Sequence, residues 1–288
     1  MRIRPRFTLP FAALAAVGTF VAATLSPHNS TAPAQSAAFT TPSHVVVVME
    51  ENHSYSDIIG NSSAPYMNSL AQNGALMTSS FAVTHPSEPN YMALFGGSTF
   101  GLTSDKCPVS EGNTANLGSE LLGAGLTFKG YSEGLPSAGS TVCTSGAYAR
   151  KHSPWINYSN VPGADSVPFT QFPTDYSTLP TLSFVIPNLN DDMHDGTIAQ
   201  ADTWLNNKMS AYATWAKTHN SLLIVDWDED DNSQSNQIPT IFYGANVKTG
   251  QYSETVNHYN VLGTLEQWYG LAKVGNSNGA TTINDIWN

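Results

Sequence analysis

Four short stretches of this sequence crowd together the groups that do chemistry. They are Glu50-Glu51-Asn52-His53, Thr84-His85-Pro86-Ser87-Glu88-Pro89-Asn90, Asn190-Asp191-Asp192-Met193-His194-Asp195-Gly196 and Asp226-Trp227-Asp228-Glu229-Asp230-Asp231, with His258 standing apart further on. Converging carboxylates repel, and their ionisation is suppressed unless a cation neutralises them. Oxygen donors suit hard ions such as Mg, Ca or Mn, and each added imidazole tilts the choice toward Zn or Fe. Asp228 and Glu229 lie nearer the preceding apolar run than Asp230 and Asp231, which read as an acidic surface loop. Ser87 sits two residues before Pro89, at the expected start of a helix, where N–H groups and the helix dipole favour an anion. A serine so placed could attack phosphorus while a metal lowers its pKa. The alternative is that Ser87 is a plain N-cap.

Residues 44–49 form a continuous β-branched run, which predicts a strand buried on both faces. Further strands are expected at 76–83, 181–186, 222–225 and 240–243, and helices at 64–72, 89–95, 117–122, 198–217 and 259–271. Strands separated by helices predict a three-layer α/β/α sandwich with a mostly parallel central sheet. The four polar stretches follow four of these strands, and ligands gather beyond the carboxyl ends of such strands. Residues 103–179 are rich in Gly, Ser and Pro and weak in periodicity, so an irregular cap insertion is expected there.

Composition narrows the class. The chain has 288 residues, 41% hydrophobic and 11% charged, enough for one large domain over 38–288. Three of its 11 basic residues are Arg2, Arg4 and Arg6, leaving eight to face 22 acids, a balance that argues against nucleic-acid binding. Those arginines precede an apolar stretch and the small-residue pattern Ala32-Pro33-Ala34, which reads as a signal peptide over 1–37. No later segment is apolar enough for a membrane span. Secretion as a monomer is the expectation, and an oxidising destination makes Cys107 and Cys143 the expected disulfide.

The motifs carry a resemblance. Val45-Val46-Val47-Val48-Met49-Glu50-Glu51-Asn52-His53-Ser54 resembles the opening of the secreted phosphoesterase family that holds acid phosphatases and phospholipases C, a branch of the alkaline phosphatase superfamily. The likeness continues in His85-Pro86-Ser87-Glu88-Pro89-Asn90-Tyr91, Asp191-Asp192-Met193-His194-Asp195-Gly196, Asp228-Glu229 and His258-Tyr259-Asn260, and spans about residues 45–271. It implies an alkaline phosphatase-like fold and a divalent metal ion held by Glu51, Asn52, Asp228 and Glu229, with Ser87 as nucleophile. Asp192, His194 and His258 resemble a second half-site; His258 would be a ligand or a phosphate contact, and His85 would touch phosphate or the leaving group. The superfamily's paired Asp-His after the late strand is Asp228-Glu229 here, which favours one metal over two. Arg150, the one arginine after Arg6, is expected to be structural. The implied activity is hydrolysis of small phosphate monoesters, as by an acid phosphatase, through a phosphoserine. The chain ends soon after the last matched helix, which favours that reading over a phospholipase C or phosphodiesterase. A secreted binding protein without turnover is the reading from another class.

Overall fold

The computed structural model describes residues 40–288, so the expected signal peptide lies outside the described residues. The strands are β1 (His44–Glu50), β2 (Ala75–Phe81), β3 (Phe128–Ser132), β4 (Thr144–Ser145), β5 (Tyr148–Ala149), β6 (Ser166–Pro168), β7 (Leu182–Ile186), β8 (Ser221–Trp227), β9 (Gln237–Gly244), β10 (Gly250–Tyr252) and β11 (Val256–Asn257). The α-helices are α1 (Tyr55–Ile58), α2 (Pro65–Asn73), α3 (Ser87–Gly96), α4 (Leu117–Gly123), α5 (Ile198–Ala216) and α6 (His258–Trp268). One sheet runs β10-β2-β9-β8-β1-β7-β3-β6, with β11 also on β2. Pairing is parallel from β8 through β1, β7 and β3 to β6. β9 alone runs antiparallel to both its neighbours, which interrupts an otherwise parallel sheet.

Alternation along β1 builds the three layers. Val45, Val47 and Met49 enter one core with Leu94, Phe95 and Leu265, while Val46 and Val48 enter the other with Leu205, Met209 and Leu70. Every β1 residue from Val45 to Met49 is fully buried, as a strand covered by helices on both faces requires.

The cap region is less irregular than its sequence suggests. β3 and β6 fall inside residues 103–179, yet both extend the central sheet. The sequence of β3, Phe-Lys-Gly-Tyr-Ser, hides its strand because Gly130 breaks the apolar pattern. A side chain there has no room: a Cβ would lie 2.1 Å from Trp155 Cε2. The rest of the insertion is short 3₁₀ turns and the β4–β5 hairpin, tied by the Cys107–Cys143 disulfide. Arg150 is structural: its guanidinium donates to the carbonyls of Thr141 and Val109 and to Asn157 Oδ1.

Candidate active site

Sheet order brings the acidic stretches together. β1 lies between β8 and β7, so the residues just past those three strand ends are neighbours despite their sequence distance. Asp228 N donates to the Glu50 carbonyl and Glu51 N to the Asp192 carbonyl. Asn52 then takes a left-handed turn (φ 49°), which an asparagine tolerates, and its N–H donates to Asp228 Oδ1 at 3.0 Å.

Ser87 reaches this corner on the first turn of α3. It is a helical residue with Pro86 as N-cap, and no side-chain cap bond is made, so it is not the capping serine. Its buried Oγ lies 3.1 Å from Glu51 Oε2, 3.1 Å from Glu229 Oε1 and 3.4 Å from Asn52 Oδ1. Asn90, one turn later, folds the preceding loop back: its Oδ1 accepts from Val83 N and Thr84 N, and its Nδ2 donates to the Thr84 and Pro86 carbonyls. The expected cradle of helix amides is reduced, however. Glu88 N donates to Asp105 Oδ1 at 3.0 Å, and Pro89 carries no N–H.

One end of the Asn52 amide lies 3.1 Å from Glu51 Oε2, 3.1 Å from Glu229 Oε1 and 3.2 Å from each Asp228 oxygen. Presented as NH₂, that end donates to three carboxylates. Presented as a carbonyl, it completes a nest of oxygens that a cation would hold together. Burial, then the neighbouring Glu229 charge, pushes Asp228 up to about 7. Burial chiefly raises Glu229 to about 7 as well, and burial with the charges of Asp228 and Asp192 lifts Glu51 well above the usual carboxylate range. Such protons are what a divalent ion displaces, and this donor set fits one.

The imidazole that faces both Glu51 and Asp192 is His152, from the insertion, and not His194 or His258. His152 Nε2 is 3.1 Å from Glu51 Oε1, and Nδ1 is 3.5 Å from Asp192 Oδ2. Glu51, His152 and Asp192 are buried, and each offers one ligand atom within 4.8 Å of the others. His152 Nε2 and Asp192 Oδ2 make no hydrogen bond, as donors aimed at a shared ion would not. Burial, aided by Lys151 and His194, holds the His152 pKa well below its usual value, so the ring is neutral and free to ligate. Burial raises Asp192 to about 7. Tyr91 stacks its ring on His152, centroids 4.9 Å apart, and gives a short hydrogen bond to Glu51 Oε1. No motif marked His152 or Tyr91 as a pair, because they meet only in the fold.

The other predicted histidines divide. His85 stands at the rim, Nδ1 at 2.5 Å from Glu229 Oε2 and Nε2 at 3.2 Å from Asp230 Oδ1, so Asp230 belongs to the site's wall rather than to a free surface loop. His194 pairs with Asp195 at 2.8 Å, with Nε2 3.5 Å from Lys151 Nζ; it reaches Asp192 through its backbone N–H. His258, at the start of α6, is buried on the Asp228 side: Nε2 meets the Asp228 carbonyl at 2.8 Å and Nδ1 lies 3.5 Å from Asp226 Oδ2. It is therefore apart from the Asp192 group. Burial opposes its charging, but the Asp226 carboxylate outweighs that and raises its pKa.

This α/β sheet, with its polar corner past the strand ends, has the fold of the alkaline phosphatase superfamily. A superfamily member from Vibrio parahaemolyticus aligns with a TM-score of 0.60 at 12% identity, over 86% of this chain and 72% of that one. The lipoteichoic acid synthase LtaP of Listeria monocytogenes aligns with the same TM-score at 9% identity, over 86% and 76%. More narrowly, residues 61–272 match the Phosphoesterase family, and the chain belongs to that family. It is 59% identical to a phosphatidylinositol-3-phosphatase of Mycobacterium tuberculosis, over 97% of this chain and 95% of that protein. An acid phosphatase of Aspergillus fumigatus is 28% identical over 92% of this chain, which spans 62% of the fungal protein.

Proposed function

We propose that this chain is a secreted phosphatase that hydrolyses phosphate monoesters through a phosphoserine on Ser87, dependent on a divalent metal ion. The observation that carries this is the Ser87 Oγ buried within 3.1 Å of both Glu51 and Glu229, at the corner where Asn52 and Asp228 also converge. A structural serine has no need of two carboxylates and an amide. Glu51, Asn52, Asp228 and Glu229 would hold one ion; Glu51, His152 and Asp192 are the candidates for a second. A bound ion supplies Lewis acidity at the phosphoryl oxygens and lowers the serine's pKa.

The chain's own residues do the rest. Ser87 Oγ attacks phosphorus opposite the ester oxygen, its proton passing to the Glu51–Glu229 carboxylate pair. The P–O ester bond breaks as the Oγ–P bond forms. His85, held on Nδ1 by Glu229, gives its Nε2 proton to the leaving alkoxide in place of Asp230 and takes one from the water that later frees phosphate, while the carboxylate pair returns its proton to the departing Ser87 Oγ. The two similar phosphatases favour monoesters, and the 59%-identical relative's name points to a 3-phosphorylated inositol lipid as one substrate. Export rests on the reading of residues 1–37 and fits the Cys107–Cys143 disulfide.

Metal analysis of the purified chain, then chelation and a panel of phosphate mono- and diesters, tests this. Turnover of monoesters should vanish on chelation and return with one divalent ion. Ser87→Ala should cost about 10³-fold or more in kcat while leaving substrate affinity in place. A Ser87→Ala protein with full turnover would refute the serine mechanism, and a wild type that binds esters without cleaving them would make the chain a binding protein.

A further inference from the structure

A cavity of about 270 Å³ lies beside the site, lined by Asp105, Lys106, Cys107, Cys143, Lys151 and Leu189 among others. Two links join it to the reacting groups. Asp105 Oδ1 accepts from the backbone N–H of Glu88, the residue after Ser87, and Asp105 Oδ2 accepts from Lys151 Nζ at 2.7 Å. Lys151 in turn precedes His152, which touches Glu51. The loop is fixed from the other direction too, since Lys106 N donates to Glu88 Oε2 at 2.6 Å. That bond uses the Lys106 backbone and leaves its side chain exposed at the cavity wall, without an ion pair among the described residues.

Charge here runs against the rest of the molecule. The chain has 22 acids against 11 basic residues, yet this cavity sets two lysines against one carboxylate. The disulfide, Ala149 and Leu189 supply apolar wall, which suits the carbon skeleton of a polyol. The α3 start offers few free amides, because Asp105 occupies the Glu88 N–H and Pro89 has none. Beyond what a bound ion supplies, positive charge for a second anionic group must therefore come from side chains, and the two lysines of this cavity connect to the Ser87 corner through Glu88 and His152.

We propose that the cavity takes the leaving group of the ester and selects leaving groups that carry a second phosphate, which Lys106 and Lys151 bind. The shared chemistry is a polyol bearing a second phosphoryl anion, whether free or as a lipid headgroup. This rests on the reading of Ser87 as the nucleophile at the adjoining corner.

The test compares kcat/KM for myo-inositol 1,3-bisphosphate and myo-inositol 3-phosphate in the full chain and in Lys106→Glu. The wild type should prefer the bisphosphate by about tenfold, the scale of one charge-assisted contact, and K106E should bring the ratio to one or below. Phosphatidylinositol 3-phosphate in phosphatidylcholine vesicles forms a second arm: an effect of K106E confined to the soluble ester assigns the site to free polyol phosphates, and one shared with the vesicles assigns it to lipid headgroups as well. A wild type without preference, or a ratio that K106E leaves unchanged, overturns the proposal. Calorimetric binding of the bisphosphate to Ser87→Ala, with and without K106E, reads the cavity independently of turnover. Equal affinities there would reject the cavity, whereas weaker binding by the K106E form with no turnover in the wild type would reject only the serine chemistry. Thermal melts confirm that K106E folds.

Discussion

Glu51 is the residue on which the site turns. Its Oε2 faces Ser87 while Oε1 faces His152 and Tyr91, so one carboxylate joins the Ser87 corner to the insertion's imidazole. Its neighbours Asp228, Glu229 and Asp192 have pKa values raised to about 7, burial being the main cause in each. In the unfolded chain these acids lose their protons near pH 4, while the folded, metal-free protein keeps them to about 7. The stability they allow is fully present below about pH 4 and is lost as pH rises to about 7. The metal-free protein should therefore melt at progressively lower temperature as pH climbs through that window, other groups being equal. A saturating divalent ion should remove most of that loss, because the ion replaces the protons, and its affinity should rise with pH over the same range. Melts at several pH values, with chelator and with added ion, check this; identical slopes in the two series would contradict it.

At the scale of elements, the decisive piece is the contact between a strand and a turn. Gly130 of β3 lets the Trp155 indole lie against the sheet, and Trp155 sits in the turns that follow Arg150, Lys151 and His152. Gly130→Ala places a methyl inside the indole, so the tryptophan must move. Overpacking of this kind costs about 1–3 kcal/mol. The melting temperature should fall by several degrees, and activity should fall beyond what unfolding explains, since His152 rides on the same segment. Activity measured well below the melt separates the two effects. A variant with full stability would show that the indole shifts freely. α3 has a similar logic: Asn90 and the Glu88–Asp105–Lys106 bonds hold both sides of Ser87, so its position is set by its own helix together with the loop that carries Asp105 and Lys106.

Across the whole molecule, the insertion and the sheet act as one body around the site. β3 and β6 build the insertion into the sheet, Arg150 ties its strands and turns together, and the disulfide closes a loop of 36 residues. Removing it as Cys107→Ser with Cys143→Ser should cost about 2–4 kcal/mol. The loss should be visible in thermal or denaturant unfolding, and a protein whose stability does not change would show that the insertion holds without its staple. Lys151 and His152 lie just beyond the Cys143 end of that loop, so the same variant should also weaken metal binding at the Glu51–His152–Asp192 group. Among the described residues no helix is long and apolar enough to cross a membrane.

Short-range patterns in the chain were enough for much of this. Runs such as residues 44–49 and 222–225 mark strands because burial on both faces demands continuous β-branched residues, and the polar stretches after them mark the end of the sheet where a site can form. Ser87, Glu51, Asn52, Asp228 and Glu229 were legible for that reason, each lying beside a strand end or a helix start. The tertiary structure alone decided which stretches meet. Glu51 meets Asp192 because β7 lies next to β1, and the turn after β5 brings His152 to both, while α6 carries His258 to the Asp228 side. The reversal of β9, the sheet strands hidden in the insertion, and the capture of the Glu88 N–H by Asp105 are likewise absent from any local pattern. Periodicity reports how a segment is buried; it carries no information about the distant segment that buries it.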